Sequence, residues 1–238
     1  MRRIIPFIVS ILFVGLIACE PEEIAFDPSA DVFIITKTIQ NGEDIDTIYG
    51  LALHVFANKP MTNVTATTHG GPELTYELDP YDGYTYDYYW QTSDADFSTL
   101  IPYIGTYDFD ALAETGESET LSDNLLDDII YPTDTLKAKY DVEKKELNLN
   151  WNKIKDADYI VIKMFDAGQD LMFAPDAIIG TATSYTFKTS TSGWVDGAVP
   201  TEDETYSIEL DAYYYEPGQL GVNLQGKSIN FKDVVWGD

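Results

Sequence analysis

The sequence predicts an all-β protein built from two tandem β-sandwich domains. Apolar and polar residues alternate with a period of two in segments 49–55, 107–113, 147–151 and 206–212, and Gly, Pro, Asn and Asp interrupt the pattern between them. Helical periodicity is nearly absent, with at most one or two turns predicted within 122–130. A weak repeat, Thr-Tyr-Asp-Phe at 106 and Thr-Tyr-Ser-Ile at 205, has an offset of 99 residues. This spacing is about the length of one sandwich domain.

The chain opens with a short apolar segment that ends at its only cysteine. Two arginines precede an apolar run over 4–18, which is the layout of a secretory signal peptide. The run ends in Leu16-Ile17-Ala18-Cys19, which resembles the lipobox of bacterial lipoproteins. That resemblance implies removal of residues 1–18 and membrane anchoring through a lipid on the Cys19 sulfur. A transmembrane span would need about 20 apolar residues, so the alternative is a plain secretory signal with an incidental cysteine.

Residues 19–26 are predicted to form a short tether between the lipid and the first domain. The tether begins with an acidic stretch, Glu20-Pro21-Glu22-Glu23. This stretch resembles the export signal that sends some Bacteroidota lipoproteins to the outer leaflet of the outer membrane. The expected location is therefore the outer membrane, with the cell surface favoured over the periplasmic face. The alternative is that the acidic residues form only a flexible charged tether.

Composition limits the possible partners and the source of stability. The chain has 238 residues and a formal net charge of −27, with a sequence pI of about 4.1, so nucleic acid and anionic lipid surfaces are disfavoured as direct partners. Hydrophobic residues make up 45% of the chain, which is enough for packed cores. With the single cysteine assigned to lipid, no disulfide forms within the chain and the cores must supply its stability.

The first domain is predicted over residues 27–134 and has only the general rhythm of Ig-like sandwiches. Proline in Tyr131-Pro132-Thr133-Asp134 interrupts strand pairing and marks the junction with the second domain. Four rings share one face of a strand in this domain: Tyr84, Tyr86, Tyr88 and Trp90. Because the opposite face is mostly polar, these rings are predicted to lie in the core rather than to form a glycan-binding platform.

The second domain, residues 135–238, resembles a fibronectin type III module over nearly its whole length. The resemblance assigns strands B, C, E and F to residues 147–151, 157–162, 185–187 and 206–213. Trp151 then corresponds to the core tryptophan of that family. Tyr206 takes the tyrosine-corner position, which implies a buried ring and a hydroxyl bonded to nearby backbone. The last strand is expected to use Ile229, Phe231, Val234 and Val235.

The motifs that carry catalysis or bind metals find little support in this sequence. Residues 221–228 match the pattern of a phosphate-binding P-loop, but that loop must lead into a helix, whereas the following residues alternate like a final strand. His54 and His69 lack metal-ligand spacing, and the acidic turns at 41–46 and 79–83 do not complete an EF-hand loop. We therefore predict no metal site, no cofactor and no enzymatic activity.

A candidate binding patch is predicted on the outer face of the second domain. If the apolar side chains of 206–212 point inward, the tyrosines at 213 and 215 point outward. An inward orientation of Tyr159 and Val161 on the neighbouring strand would turn the isoleucines at 160 and 162 outward as well. Trp194 either adds a ring at a loop tip or plugs the end of the sandwich. The candidate residues are therefore Ile160, Ile162, Tyr213, Tyr215 and Trp194. Exposed apolar patches are typical of contact surfaces, although cover by the first domain or by a long loop is an equal alternative.

Together these observations predict a lipid-anchored, non-enzymatic protein of a Gram-negative cell envelope. The favoured function is binding or adhesion through the sandwich surface, with a protein or a glycan as the partner. The alternative is a structural spacer or accessory subunit of an outer-membrane complex. A glycan-processing hydrolase is the third and least favoured hypothesis.

Overall fold

The computed structural model describes residues 24–41 and 44–237. The predicted signal peptide, Cys19 and most of the tether lie outside the described residues. No helix in the described part of the chain is long and apolar enough to span a membrane.

The described residues contain β-strands, one short 3₁₀ turn at Val195–Gly197 and no α-helix. The all-β prediction is confirmed, and the helical turns considered at 122–130 are wrong, because 122–125 belong to a strand. The strands are β1 Pro28–Asn41, β2 Asp44–Ala57, β3 Met61–His69, β4 Thr75–Tyr81, β5 Tyr84–Gln91, β6 Gly105–Ala113, β7 Ser118–Leu125, β8 Lys137–Asp141, β9 Glu146–Asn150, β10 Tyr159–Phe165, β11 Leu171–Phe173, β12 Ile178–Ile179, β13 Ser184–Phe187, β14 Thr205–Tyr215 and β15 Leu224–Val235.

The first sandwich packs strands β1, β2 and β5 against strands β3, β6 and β7. Strand β4 belongs to both layers, since Leu78 pairs with β3 while Asp79 pairs with β5. Alternate residues of each strand fill the space between the layers, with Leu53 from one side and Phe109 from the other both fully buried. The period-two pattern in the sequence is therefore the pattern of this core.

The second sandwich packs the three-stranded sheet β13-β9-β8 against β10, β14 and β15. This is a fibronectin type III-like arrangement, and the strands proposed from that resemblance lie where it placed them. Tyr206 is buried and its hydroxyl accepts a hydrogen bond from the backbone N–H of Thr201 at 2.8 Å, as the tyrosine-corner position requires. Trp151 is buried in the same core and donates its indole N–H to the carbonyl of Ala182.

The two sandwiches share one continuous sheet. Strand β15 of the second sandwich pairs in parallel with β1 of the first, from Ile34 opposite Gly226 to Lys37 opposite Ile229. The resulting order is β11-β10-β14-β15-β1-β2-β5-β4-β3-β6-β7. Both cores lie on one face of the strands from β10 to β5, which we call the inner face. The opposite face of these strands is called the outer face below.

The segment 126–136 connects β7 to β8 across the inner face, and the division predicted after residue 134 lies within it. Side chains of β15 fix this segment in place. Gln225 donates to the carbonyls of Leu126 and Asp128. Asn230 accepts from the N–H of Thr133 at 3.0 Å and donates to its carbonyl at 2.7 Å. The connecting segment is therefore hydrogen-bonded to the shared sheet and is not a flexible linker between the sandwiches.

Candidate ligand-binding cleft

Two of the five candidate patch residues lie inside the second core, so the predicted orientation of β10 is wrong. Ile160 is 0% exposed and Ile162 is 1% exposed. In the antiparallel ladder Ile160 is opposite Ala212 and Ile162 is opposite Leu210, and directly opposed residues share a face. Because the alternation of β14 was assigned correctly, these pairs force the two isoleucines inward. The sequence of β10 hides this, since its other face also carries apolar Tyr159 and Val161.

Trp194 closes the end of the second sandwich. Its ring lies 4.8 Å from that of Phe173 and 5.9 Å from that of Trp236, and its indole N–H donates to the carbonyl of Lys188. Of the two alternatives for this residue, the structure selects the plug. Trp194 therefore does not contribute to a patch with Tyr213 and Tyr215.

Tyr213 and Tyr215 are half-buried on the outer face, as the alternation of β14 predicted. They do not stand on an isolated sheet, because β15 and β1 continue the same face into the first sandwich. A third apolar cluster forms there from both sandwiches, with Phe33 and Ile35 of β1 beside Leu224 of β15. The tyrosines pack against this cluster.

A cleft of about 710 Å³ opens over this cluster. Its lining comes from both sandwiches, with Tyr81 and Tyr89 on one side and Tyr213 and Tyr215 on the other. Tyr81 is 57% exposed and meets Tyr89 edge to face, with 5.7 Å between ring centres. Clefts of this size, with rings and a few polar groups, are typical of ligand sites.

Two lysines in the cleft are held by carboxylates of β14. Asp211 is completely buried, and the Nζ atoms of Lys163 and Lys227 both lie 2.8 Å from its Oδ2. Glu209 accepts from Lys163 at 2.6 Å. Burial acts to lower the pKa of Lys163, but the charges of Asp211 and Glu209 outweigh it and raise that pKa. The cluster therefore keeps the ammonium group of Lys163 charged, and Asp211 holds the Nζ atoms of both lysines in position.

The polar groups on the other side of the cleft also bond to one another. The Nε2 atom of His54 lies 2.7 Å from Oδ1 of Asp87, and the hydroxyl of Tyr89 donates to the side-chain carbonyl of Gln91 at 3.0 Å. Burial raises the pKa of Tyr89, so its hydroxyl stays protonated at neutral pH. His54 is half-buried here.

Asp31 lines the cleft and lies directly opposite His54 in the ladder of β1 and β2. Its Oδ2 accepts the backbone N–H of Leu224 at 3.0 Å, while its Oδ1 is buried with no hydrogen-bond partner among the described residues. Burial raises the pKa of Asp31 to about 7, and the nearby charges of Asp123 and Glu216 add to this effect.

This arrangement does not suit general acid catalysis. A glycosidase needs one carboxyl to protonate a leaving group and a second to act as base or nucleophile. Asp31 has the raised pKa, but one of its oxygens is bonded to the backbone and the other is buried. Asp87 is engaged by His54. No group of His, Cys, Asp and Glu in the described ranges 24–41 and 44–237 is arranged to hold a metal ion.

The P-loop-like segment forms a turn before the final strand, as expected. Gly221 has a φ of 77°, and β15 begins three residues later with no helix after it. Gly221 and Val222 border the cleft. The segment thus contributes to the site as a wall and not as a phosphate cradle.

Sequence reasoning missed most of the cleft. The prediction that the face of β5 opposite the core is mostly polar is correct, but the place of Asp87 and Tyr89, on that face, in a cleft was not recognised. The core assignment for the other face holds for Tyr88 and Trp90, whereas Tyr84 is 61% exposed. The only available signal was the alternation in β5, because the partners on β10, β14 and β15 are more than 70 residues away in the chain.

Known proteins resemble this chain at low TM-scores among the solved structures, and not at the level of sequence. Neither a protein-family model nor a curated protein sequence matches this chain. A cytokine receptor complex has a TM-score of 0.33 and 10% identity, covering 87% of this chain and 97% of that chain. A two-domain fibronectin type III segment of chicken tenascin has a TM-score of 0.31 and 10% identity, covering 84% and 97%. The FN1-FN3 domains of chicken CNTN1 have a TM-score of 0.29 and 12% identity, covering 87% and 64%. Similarity at this level carries no argument about the fold or the function.

Proposed function

We propose that this protein is a lipid-anchored binding protein of the bacterial cell envelope and that its ligand occupies the cleft between the two sandwiches. The observation that carries the proposal is the cleft itself, a concave space of about 710 Å³ to which both sandwiches contribute rings and polar groups. Pockets of about 300–1,000 Å³ with convergent polar groups are the default ligand sites of proteins.

The proposed anchor is a lipid on Cys19. Each buried methylene adds about 0.8 kcal/mol of membrane affinity, and two acyl chains give stable attachment. Eight residues lie between Cys19 and Pro28 at the start of β1, and a chain of that length reaches about 30 Å at most. The cleft would therefore work close to the membrane, and we propose the outer face of the outer membrane as its location.

Mass spectrometry of the native protein tests the anchor. We expect residues 1–18 to be absent and Cys19 to carry lipid, and a Cys19→Ser variant to appear in the soluble fraction. A bare Cys19, or an intact N-terminal segment, would contradict the proposal. Protease treatment of whole cells then separates the cell surface from the periplasmic face, since only a surface protein is cleaved.

A binding screen tests the site. The soluble fragment 20–238 retains every residue of both cores, so it can be screened on glycan arrays and in pull-down assays. The double variant Tyr213→Ala/Tyr215→Ala should abolish the binding found. Tyr84→Ala is the matched control, because Tyr84 is an exposed tyrosine outside the cleft. Binding that both variants leave unchanged would reject the cleft as the site.

A second candidate function is that of a rigid spacer or accessory subunit. The continuous sheet favours it, since β1 and β15 join the two sandwiches through backbone hydrogen bonds instead of a flexible hinge. A spacer would bind no ligand in its cleft, whereas its removal would disrupt a larger assembly. The screen above therefore distinguishes the two functions.

A further inference from the structure

The chemistry of the cleft specifies the class of ligand, provided that the proposed function is correct. Tyrosine rings line the cleft on two sides. Tyr81 and Tyr89 belong to the first sandwich, Tyr213 and Tyr215 to the second, and strands β15, β1 and β2 lie between the two pairs. A ligand that fills the cleft can therefore stack on tyrosine rings on both sides.

The hydroxyl groups of Tyr89 and Tyr213 are protonated. Burial, followed by the charge of Asp211, raises the pKa of Tyr213, and burial raises that of Tyr89. Both hydroxyls therefore stay neutral. Their single O–H groups already face Gln91 Oε1 at 3.0 Å and Asp211 Oδ2 at 3.4 Å, so each hydroxyl oxygen remains able to accept a hydrogen bond from a ligand. A tyrosine in this state combines a flat apolar face with a polar tip, which suits a ligand that alternates C–H and O–H groups.

The charged side chains of the cleft are paired with one another. The ammonium groups of Lys163 and Lys227 are paired with Asp211 and Glu209, so they offer little unbalanced positive charge to an anion. The whole chain carries −27, which repels anions at long range. The carboxylates of the lining are engaged as well, since Asp87 faces His54 and Asp31 accepts the backbone N–H of Leu224, so they offer little unbalanced charge to a cation. The cleft is therefore suited to an uncharged ligand.

The two lysines keep hydrogen-bond donors for a ligand. An ammonium group has three N–H donors. The carboxylates of the described residues engage two on Lys163 and one on Lys227, so each lysine has at least one N–H left for a ligand hydroxyl. Gln91 adds an amide group to the lining. His54 adds its ring nitrogen Nδ1, because its Nε2 atom faces Asp87.

We infer that the cleft binds an uncharged oligosaccharide, stacked on the tyrosines of both sandwiches and hydrogen-bonded through Lys163, Lys227 and Gln91. Sugar rings present flat C–H faces and many hydroxyls without charge, which is the combination the lining requires. A folded protein partner is less suited, because three of the four rings that it would contact are half-buried in the cleft and only Tyr81 is exposed.

Titration calorimetry with fragment 20–238 tests the inference. The probes are three panels: uncharged gluco-, manno-, galacto- and xylo-oligosaccharides, uronic acid oligosaccharides, and amino-sugar oligosaccharides with free amines. We expect binding in the uncharged panel alone. The affinity should change little between about 0.05 and 0.5 M NaCl, because screening affects ionic contacts and not neutral ones.

Variants locate the binding. Tyr89→Ala and Tyr213→Ala should each weaken it by at least about tenfold, while Tyr89→Phe and Tyr213→Phe retain the stacking face and should lose less. Tyr84→Ala should bind like the unmodified fragment. The phenylalanine variants remove one hydroxyl each and keep the ring, so they test the site even if an alanine variant fails to fold.

The outcomes separate the two proposals. Selective binding of a charged panel, or of a protein, that Tyr213→Ala weakens would overturn the uncharged ligand and leave the cleft as the binding site. Binding of an uncharged sugar that none of the cleft variants weakens would overturn the inference by placing the sugar elsewhere. If no panel and no envelope protein binds, the binding function itself fails.

Discussion

Among single residues, Asp31 has its carboxyl buried at an electrostatically unfavourable position in the cleft. Its carboxyl is buried beside Asp123 and Glu216, and one oxygen has no hydrogen-bond partner among the described residues. The folded-state pKa of about 7 exceeds the usual value of 3.8. The folded protein therefore binds the proton of Asp31 more tightly than the unfolded chain does. This contribution makes the folded protein less stable as the pH rises from about 4 to about 7.

The variant Asp31→Asn should reduce this pH dependence. An amide cannot ionise, so the variant avoids the cost of a buried charge at position 31. It should therefore be more stable than the wild type at about pH 8, where Asp31 is ionised, and the gain should be smaller at about pH 5, where the folded protein keeps Asp31 protonated. Both pH values lie above the sequence pI of about 4.1. Between about pH 5 and the folded-state pKa of Asp31, the stability gain of the variant should grow by about 1.4 kcal/mol for each pH unit. Urea unfolding at both pH values measures it. The exposed substitution Glu119→Gln is the control, and an equal effect of Asp31→Asn at both pH values would contradict the assignment.

Residue burial also distinguishes the two halves of the predicted patch. Ile162→Ala should destabilise the protein by about 2–5 kcal/mol, because it opens a cavity in the second core. Ile179→Ala is a matched control on the short strand β12, where the side chain is 66% exposed, and should change stability little. Denaturant unfolding followed by fluorescence provides the measurement. If Ile162→Ala weakened binding while leaving stability intact, the side chain would have to face outward.

At the scale of elements, β15 has the largest structural role. It pairs with β14 in the second sandwich and with β1 in the first, and its side chains bond the connecting segment. A local irregularity opposite Tyr214 and Tyr215 accompanies the start of the strand. Gln225 and Gly226 follow one another there, and both contact residues of the connection. The strand thus joins three parts of the molecule.

Replacing Asn230 by Ala tests that role. The substitution leaves the N–H and the carbonyl of Thr133 without their partner in a buried place. An unpaired buried polar group costs about 1–3 kcal/mol, so the loss of stability should reach a few kcal/mol. Asn148→Ala is the control, since its bond to Thr186 lies at the exposed surface. Similar midpoints of thermal unfolding for both variants would show that the connection is held by other contacts.

Strand patterns account for both the successes and the failures of the sequence prediction. In β14 every second residue from Tyr206 to Ala212 is apolar and the residues between them are polar, so the inward face could be assigned. In β10 both faces carry apolar residues, and the assignment was reversed. Only the ladder with β14 decides between the two faces, because a shift of one residue exchanges them.

At the scale of the whole molecule, the shared sheet makes the two sandwiches one mechanical unit. Separate tandem domains would each expose an edge strand at the junction, whereas here β1 and β15 satisfy each other's backbone groups. The Gln225 and Asn230 contacts add side-chain bonds to the same junction. The angle between the sandwiches, and with it the shape of the cleft, is therefore set by the backbone.

Calorimetry should show this coupling as a single cooperative unfolding transition of fragment 20–238. The ratio of the calorimetric to the van 't Hoff enthalpy should be about 1, since neither sandwich unfolds without disrupting the shared sheet. Coincident transitions by far-UV circular dichroism and tryptophan fluorescence would support the result. Two resolved transitions would show that the sandwiches unfold independently and that the β1–β15 pairing contributes little.

The sequence by itself determined the all-β class, the fibronectin type III-like strands of the second sandwich and the inward face of β14. These features depend on alternation within single strands and on turn residues beside them, which are local in the chain. The tertiary structure alone decided the pairing of β1 with β15, the inward orientation of Ile160 and Ile162, and the cleft. Each of these depends on contacts between distant strands, where backbone hydrogen bonds can form between any two edges of suitable shape. Local patterns do not encode which edges meet.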